Sequence, residues 1–156
     1  MDMTSTPDSS RQAWLAVLAL APRDALAQRA VARVAEHRFE WLREPETGLA
    51  MVRGRIANRG DRFNLGEATL TRCIARVTID GHTTAGVGHV LGRDDERARW
   101  IAQLDALLQQ PTLRDALQRE VIGPLKAARD EVIAAERARH AASRVSFYTL
   151  KPEVSA

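Results

Sequence analysis

The sequence predicts an α+β fold, with N-terminal helices, an antiparallel β meander, C-terminal helices and a closing strand. Three observations carry that expectation. Apolar residues recur at helical spacing before residue 38 and again after residue 94. Between them the period shortens to two, and the strand-like segments follow one another without an intervening helix, which favours α+β over α/β. Asp80-Gly81 sits between the two best strand candidates, where a tight hairpin turn needs such a pair.

Residues 1–8 read as a disordered tail, 9–150 as one domain and 151–156 as a C-terminal tail. Ser9 or Ser10 can cap a first helix carrying Trp14, Leu15, Val17 and Leu18 on one face, ending near Ala21-Pro22. A second helix, Arg23 to about His37, is expected to bury Leu26, Ala30, Val31 and Val34 and to leave Arg29 and Arg33 in solvent. Phe39, Trp41 and Arg43 then alternate, and Pro45-Glu46-Thr47-Gly48 reads as a turn. Leu49 to Ala57 is strand-like, with Arg53 and Arg55 on one face, and Asn58-Arg59-Gly60-Asp61 is a reverse turn.

Thr69 to Ile79 is the strongest strand. Thr71, Cys73, Ala75, Val77 and Ile79 form its better buried face, opposite Leu70, Arg72, Ile74 and Arg76, and Thr83 to Leu91 pairs back after the turn. Asp94 caps a helix reaching about Gln110, with Trp100, Ile101, Leu104, Leu107 and Leu108 as its stripe. Thr112 and Asp115 resemble a capping box opening a further helix. Gly123-Pro124 interrupts it, and a last helix to about Ala142 carries Leu125, Ala128, Val132 and Ala135. Arg144 to Leu150 alternates as the final strand.

The chain has 156 residues, 45% of them hydrophobic and 28% charged, enough for one packed core. Met1 to Ser10 has no apolar stretch of the signal-peptide kind, and Trp14 to Ala21 is too short to cross a bilayer, so a cytoplasmic location is expected, with no membrane partner. The lone Cys73 excludes an internal disulfide and reads as a small buried apolar residue. Of 23 basic residues only Lys126 and Lys151 are lysines; the arginines are scattered among acids, and aromatic residues make up 4%. A nucleic-acid partner is therefore not expected, and salt-sensitive retention on RNA would be needed to revive one.

Motifs for catalysis are missing. His37, His82, His89 and His140 lack ligand spacing, so no metal is expected. Gly86-Val87-Gly88-His89-Val90-Leu91-Gly92 fails the dinucleotide pattern because its third glycine is one residue late and it lies in a strand. Its glycines instead leave a bare face for close approach of another backbone or side chain. Arg59-Gly60-Asp61 is an ordinary turn. More informative are charges where a plain domain places apolar groups: Arg53, Arg55, Arg72 and Arg76 in strands, and Asp105 on the face of Ile101 and Leu108. Such charges either face water on the outer side of a one-sided sheet or pair internally or across a subunit contact.

Seven segments in order resemble the PhnG family, a component of the bacterial carbon–phosphorus lyase core complex, over residues 11 to 150. They are Arg11-x-x-Trp14 with Leu18-Ala19, then Pro45-Glu46-Thr47-Gly48-Leu49, and then Arg55 with Gly60-x-Arg62-Phe63-x-x-Gly66-Glu67-Ala68-Thr69-Leu70-Thr71-Arg72. Leu91-Gly92-Arg93-Asp94, Asp105-Ala106-Leu107-Leu108-Gln109, Pro124-Leu125 and Ser143-Arg144-Val145-x-Phe147-Tyr148-Thr149 follow. Ala57-Asn58, Ser146 and Tyr148 depart from the residues usual in relatives.

The resemblance implies a subunit of the complex that, in phosphonate catabolism, displaces adenine from ATP with an alkylphosphonate to give a ribose 1-alkylphosphonate 5-triphosphate. Implied partners are subunits H, I, J and K, with L for activity, and ATP and alkylphosphonate through the complex; a homodimer is compatible with it too. S-adenosylmethionine and an iron–sulfur cluster belong to another subunit, and one cysteine could not hold such a cluster here. A structural or co-catalytic role is implied. Candidate anion-binding or interface residues are Arg55, Glu67, Thr71, Arg72, Arg93, Asp105 and Arg144. In the rival, directly catalytic reading, Arg55, Arg72, Arg93 and Arg144 clamp a phosphate or phosphonate, and Glu67 or Asp105 is the orienting acid.

Overall fold

The computed structural model describes the fold of residues 7–143. Helices α1 (Pro7–Leu20) and α2 (Arg23–Ala35) precede strands β1 (Glu40–Arg55), β2 (Arg62–Ile79) and β3 (His82–Leu91). Helices α3 (Asp95–Leu108), α4 (Pro111–Leu117) and α5 (Gly123–Ala142) follow. The strands form one antiparallel sheet in the order β1-β2-β3. The α+β expectation holds; the closing strand, residues 144–150, lies outside the described residues. Helix α1 begins two residues ahead of the Ser9 expected to cap it.

Helix α3 lies against β3 and β2 and is the hub on which α1, α2 and α4 pack. Its seat follows from the alternation read in β2: Thr71, Cys73, Ala75 and Val77 are buried on one face, whereas Arg72 is exposed on the other. The glycines of β3 set the spacing. A Cβ built on Gly86 would stand 2.0 Å from the Ala102 carbonyl oxygen, and one on Gly88 would stand 2.0 Å from that of Ala98. With alanines at 98, 102 and 106 on the facing side, helix and strand meet almost backbone to backbone. Asp94 caps α3 as expected, accepting from the Arg97 backbone N–H at 3.0 Å. Asp80-Gly81 closes the β2–β3 hairpin with both residues at positive φ.

Burial pushes the Cys73 thiol up from its ordinary 9.0 to about 11. The neutral thiol is the form the core holds, so the resulting stability is complete below pH 9 and is lost as pH rises through 11. Native protein should therefore leave Cys73 unreacted with a thiol reagent at about pH 8. Wild type should also lose stability relative to Cys73→Ala between pH 9 and 11 in urea titrations.

Several local expectations are corrected. Pro45-Glu46-Thr47-Gly48 is not a turn: it lies inside β1, which is an edge strand where a missing N–H can face outward, and register shifts at Trp41/Arg43 and Arg43/Glu46 absorb the extra residues. Val31 is 50% exposed, because α2 buries the Leu26–Ala30 line and Val31 lies beside it. Helix α4 starts at Pro111 behind Gln110, with no side-chain cap from Thr112; proline supplies the first-turn geometry instead.

Another concerns Gly123-Pro124, which does not interrupt the helix. A π turn over Gln118–Ile122 passes directly into α5, and the Gly123 N–H bonds to the Gln118 carbonyl five residues back. Pro124 has no N–H for the Glu120 carbonyl, and that oxygen accepts instead from the Arg29 guanidinium at 3.0 Å. Arg29 and Arg33, expected simply in solvent, both reach Glu120, Arg33 through an ion pair with its carboxylate. Beyond Leu125, α5 leaves the core: Ala128, Val132 and Ala135 are exposed, so their stripe is unburied among the described residues.

Candidate functional site

Asp105 is the most heavily bonded polar group among the described residues. It is wholly buried on α3, and both oxygens are occupied. Oδ1 accepts from the Trp14 indole Nε1 at 2.8 Å and from Arg11 Nε at 3.3 Å. Oδ2 accepts from the second Arg11 nitrogen at 2.8 Å and from the Val87 backbone N–H at 2.9 Å. A carboxylate has about four lone-pair sites, and all are taken here. Asp105 thus docks α1 onto α3 and closes the outer edge of β3, where Arg11 and Gln109 also reach the Ala85 carbonyl. Nothing remains with which it could orient a substrate.

Thr71 is also structural. Its buried hydroxyl donates to the Gly92 carbonyl at 2.7 Å, stands 3.0 Å from the Thr47 hydroxyl and accepts weakly from the Asp94 N–H at 3.3 Å. It ties the end of β3 to the start of α3, the turn on which Arg93 lies exposed. Arg97 and Arg114 serve the helix ends, the first donating to the Ala19 and Ala21 carbonyls at 2.7 Å and the second to the Leu108 carbonyl at 3.1 Å.

The strand arginines fall into two groups. Arg72 and Arg76 lie on the outer face of the sheet and pair with Glu46 at 2.8 Å and Glu40 at 3.1 Å on β1. Both readings of the sequence therefore apply to them: they face water, and they pair internally. Exposed pairs of this kind contribute about 0–1 kcal/mol. The second group, Arg53, Arg55 and Arg62, lines a shallow open depression with Gly54 at the far end of β1 and β2. Arg55 stands directly opposite Arg62, and none of the three guanidinium groups makes a hydrogen bond or ion pair among the described residues.

The clamp expected of Arg55, Arg72, Arg93 and Arg144 is not assembled. Arg55 pairs with Arg62, ten residues along β2 from Arg72, about 33 Å at roughly 3.3 Å per residue. Glu67 is exposed on the ribbon opposite Met51, and Arg144 lies outside the described residues. Among the described residues no group of three His, Cys, Asp or Glu side chains could hold a metal, and no helix is long and apolar enough to cross a membrane. What sequence reading missed is Arg62 as the partner of Arg53 and Arg55. The reverse turn at residues 58–61 hinted at that pairing. The extra residue in β2 between Asn64 and Gly66, which turns Arg62 onto their face, left no recognisable pattern.

The ribbon that carries this group differs from the rest of the sheet. β3 pairs with β2 only from Leu70 onward, and the Gly92 N–H still reaches the Thr69 carbonyl at 2.8 Å. Among the described residues, 62–68 therefore have β1 as their one neighbour, and every residue from Arg62 to Glu67 is exposed.

Comparison with known proteins bears on most of the chain. The family model described as "Phosphonate metabolism protein PhnG" matches residues 9–151. The chain is also similar to the alpha-D-ribose 1-methylphosphonate 5-triphosphate synthase subunit PhnG of Rhizobium meliloti (strain 1021). The two are 45% identical over 112 residues, covering 70% of this chain and 67% of the relative.

Proposed function

Since the chain belongs to the PhnG family of phosphonate metabolism proteins, we propose that it is a subunit of the multi-chain synthase for which its Rhizobium meliloti relative is named. In that assembly an alkylphosphonate oxygen replaces adenine at the ribose of ATP, leaving the 5-triphosphate in place. This chain acts as a structural partner of subunits H, I, J and K, with L joining for activity. The observation that supports the reading best is that the one fully buried carboxylate among the described residues has every lone pair filled from within the fold. Arg72 and Arg76 are likewise matched by acids of the same sheet. The polar groups positioned rigidly enough for catalysis already have partners, while exposed apolar and cationic surface lies on the ribbon.

Co-expression tests this. The chain should purify in fixed stoichiometry with subunits H, I and J of its host, and those subunits should fail to assemble normally without it. A soluble monomer that ignores all three would count against the subunit reading.

A further inference from the structure

We propose that the ribbon formed by residues 49–55 of β1 and 62–68 of β2 is an insertion arm. It seats in an apolar cleft of a different subunit and sets Arg53, Arg55 and Arg62 against carboxylates on that subunit. The proposal rests on the subunit reading above and adds the surface, the polarity of the partner and its chemistry.

The ribbon lacks support of its own. Among the described residues the sheet has only two strands over the seven residues 62–68 of β2, about 23 Å at roughly 3.3 Å per residue. A two-stranded ribbon without a third strand or a covering helix is marginal in water. Among the described residues both of its edges are open, and natural sheets normally cover or blunt such edges.

Apolar side chains occupy both of its faces. The register puts Leu49 and Met51 on the face that continues the core side of the sheet, and Val52, with Phe63 lying over Gly54, on the other. Leu49 is 68% exposed, Met51 53%, Phe63 41% and Leu65 66%. A solvated ribbon needs at most one apolar face, turned to its own core. This one has two, and neither is covered among the described residues, as a strand pair enclosed by another protein requires.

Charge at the tip is one-sided. Residues 53–62 hold Arg53, Arg55, Arg59 and Arg62 against Asp61 alone. Like charges directly opposed across strands, as Arg55 and Arg62 are, weaken a free ribbon. Nearer the helices the same strand pair gives Arg72 and Arg76 their own glutamates. The acids missing at the tip are therefore expected from outside. Two copies meeting tip to tip would oppose cation to cation, which disfavours a second copy of this chain as the occupant. A single aromatic, Phe63, gives no stacking platform for bases.

The test uses the co-expressed assembly with subunits H, I and J. A photo-crosslinking residue replaces Met51 or Phe63 in turn, with Val31, exposed on α2, as the control position. Both ribbon positions should cross-link to another subunit and Val31 should not. The double substitution Arg55→Glu/Arg62→Glu should leave the thermal midpoint of the isolated chain within about 2 °C. It should weaken retention in the assembly at least about tenfold. A wild-type assembly without ribbon cross-links, cross-links to a second copy of this chain, or full retention of the double variant would overturn the arm and leave the subunit reading standing. Absence of any wild-type assembly would overturn that reading and the arm together.

Discussion

Replacing Asp105 by alanine should destabilise the fold by about 3–5 kcal/mol, a large share of the roughly 5–15 kcal/mol that holds a typical domain folded. The carboxylate is fully buried and takes hydrogen bonds from three donor groups on two other elements: Arg11 and Trp14 on α1 and the Val87 N–H on β3. Truncation strands a guanidinium, an indole N–H and a backbone N–H together. Asp105→Asn keeps the volume but offers one oxygen and turns an NH2 group toward existing donors, so a loss of about 2–4 kcal/mol is expected. Adding Arg11→Leu to Asp105→Ala should cost much less than the sum of the single changes, because the stranded charge leaves with its partner. Urea unfolding followed by circular dichroism measures all of these. A stable Asp105→Asn protein that had lost only synthase activity would instead return Asp105 to a catalytic role.

Gly88→Ala should be of comparable size, about 3 kcal/mol or more, and at worst should prevent folding. The added methyl meets the Ala98 carbonyl oxygen at 2.0 Å and its carbon at 2.9 Å, both main-chain atoms that cannot rotate away. Helix α3 would have to lift from β3, breaking the Asp105–Val87 and Thr84–Ala106 bonds with it. Gly48→Ala is the matched control. It lies in β1, nothing stands within 4 Å of the position its methyl would take, and its effect should stay within about 0.5 kcal/mol. Equal midpoints for the two variants would mean that α3 does not sit where the glycines place it.

These two sites show what could be read ahead of the structure. The bare face of Gly86 and Gly88 and the inward position of Asp105 follow from strand and helix periods, which are local. The partners of Asp105 are not local: Arg11 and Trp14 are 94 and 91 residues away. Arg11 therefore had no visible role, and Trp14 only a place on an apolar helix face, until α1 was docked. Pro45 misled because a proline inside a strand is tolerated only at an edge, and the edge position of β1 is a property of the whole sheet. The last helical stripe misled differently. Val132 has the right spacing, but spacing cannot say where a helix leaves the core.

The candidate site was legible only in its parts. Arg55 and Arg72 stand out as charges in strands, yet their roles diverge. Arg72 has Glu46 at 2.8 Å, and Arg55 stands against Arg62. That divergence depends on where β3 stops and where β2 gains a residue, and neither leaves a periodic trace. A clamp drawn from residue types alone therefore joined groups that the register holds far apart.

Adenine release from ATP in the presence of methylphosphonate, assayed with the chain alone, with the other subunits alone and with all together, addresses the proposed role most directly. Release is expected only when the full set is combined, and none from the isolated chain. Sustained release by this polypeptide by itself, or an undiminished rate when it is left out, would contradict a structural role in the synthase.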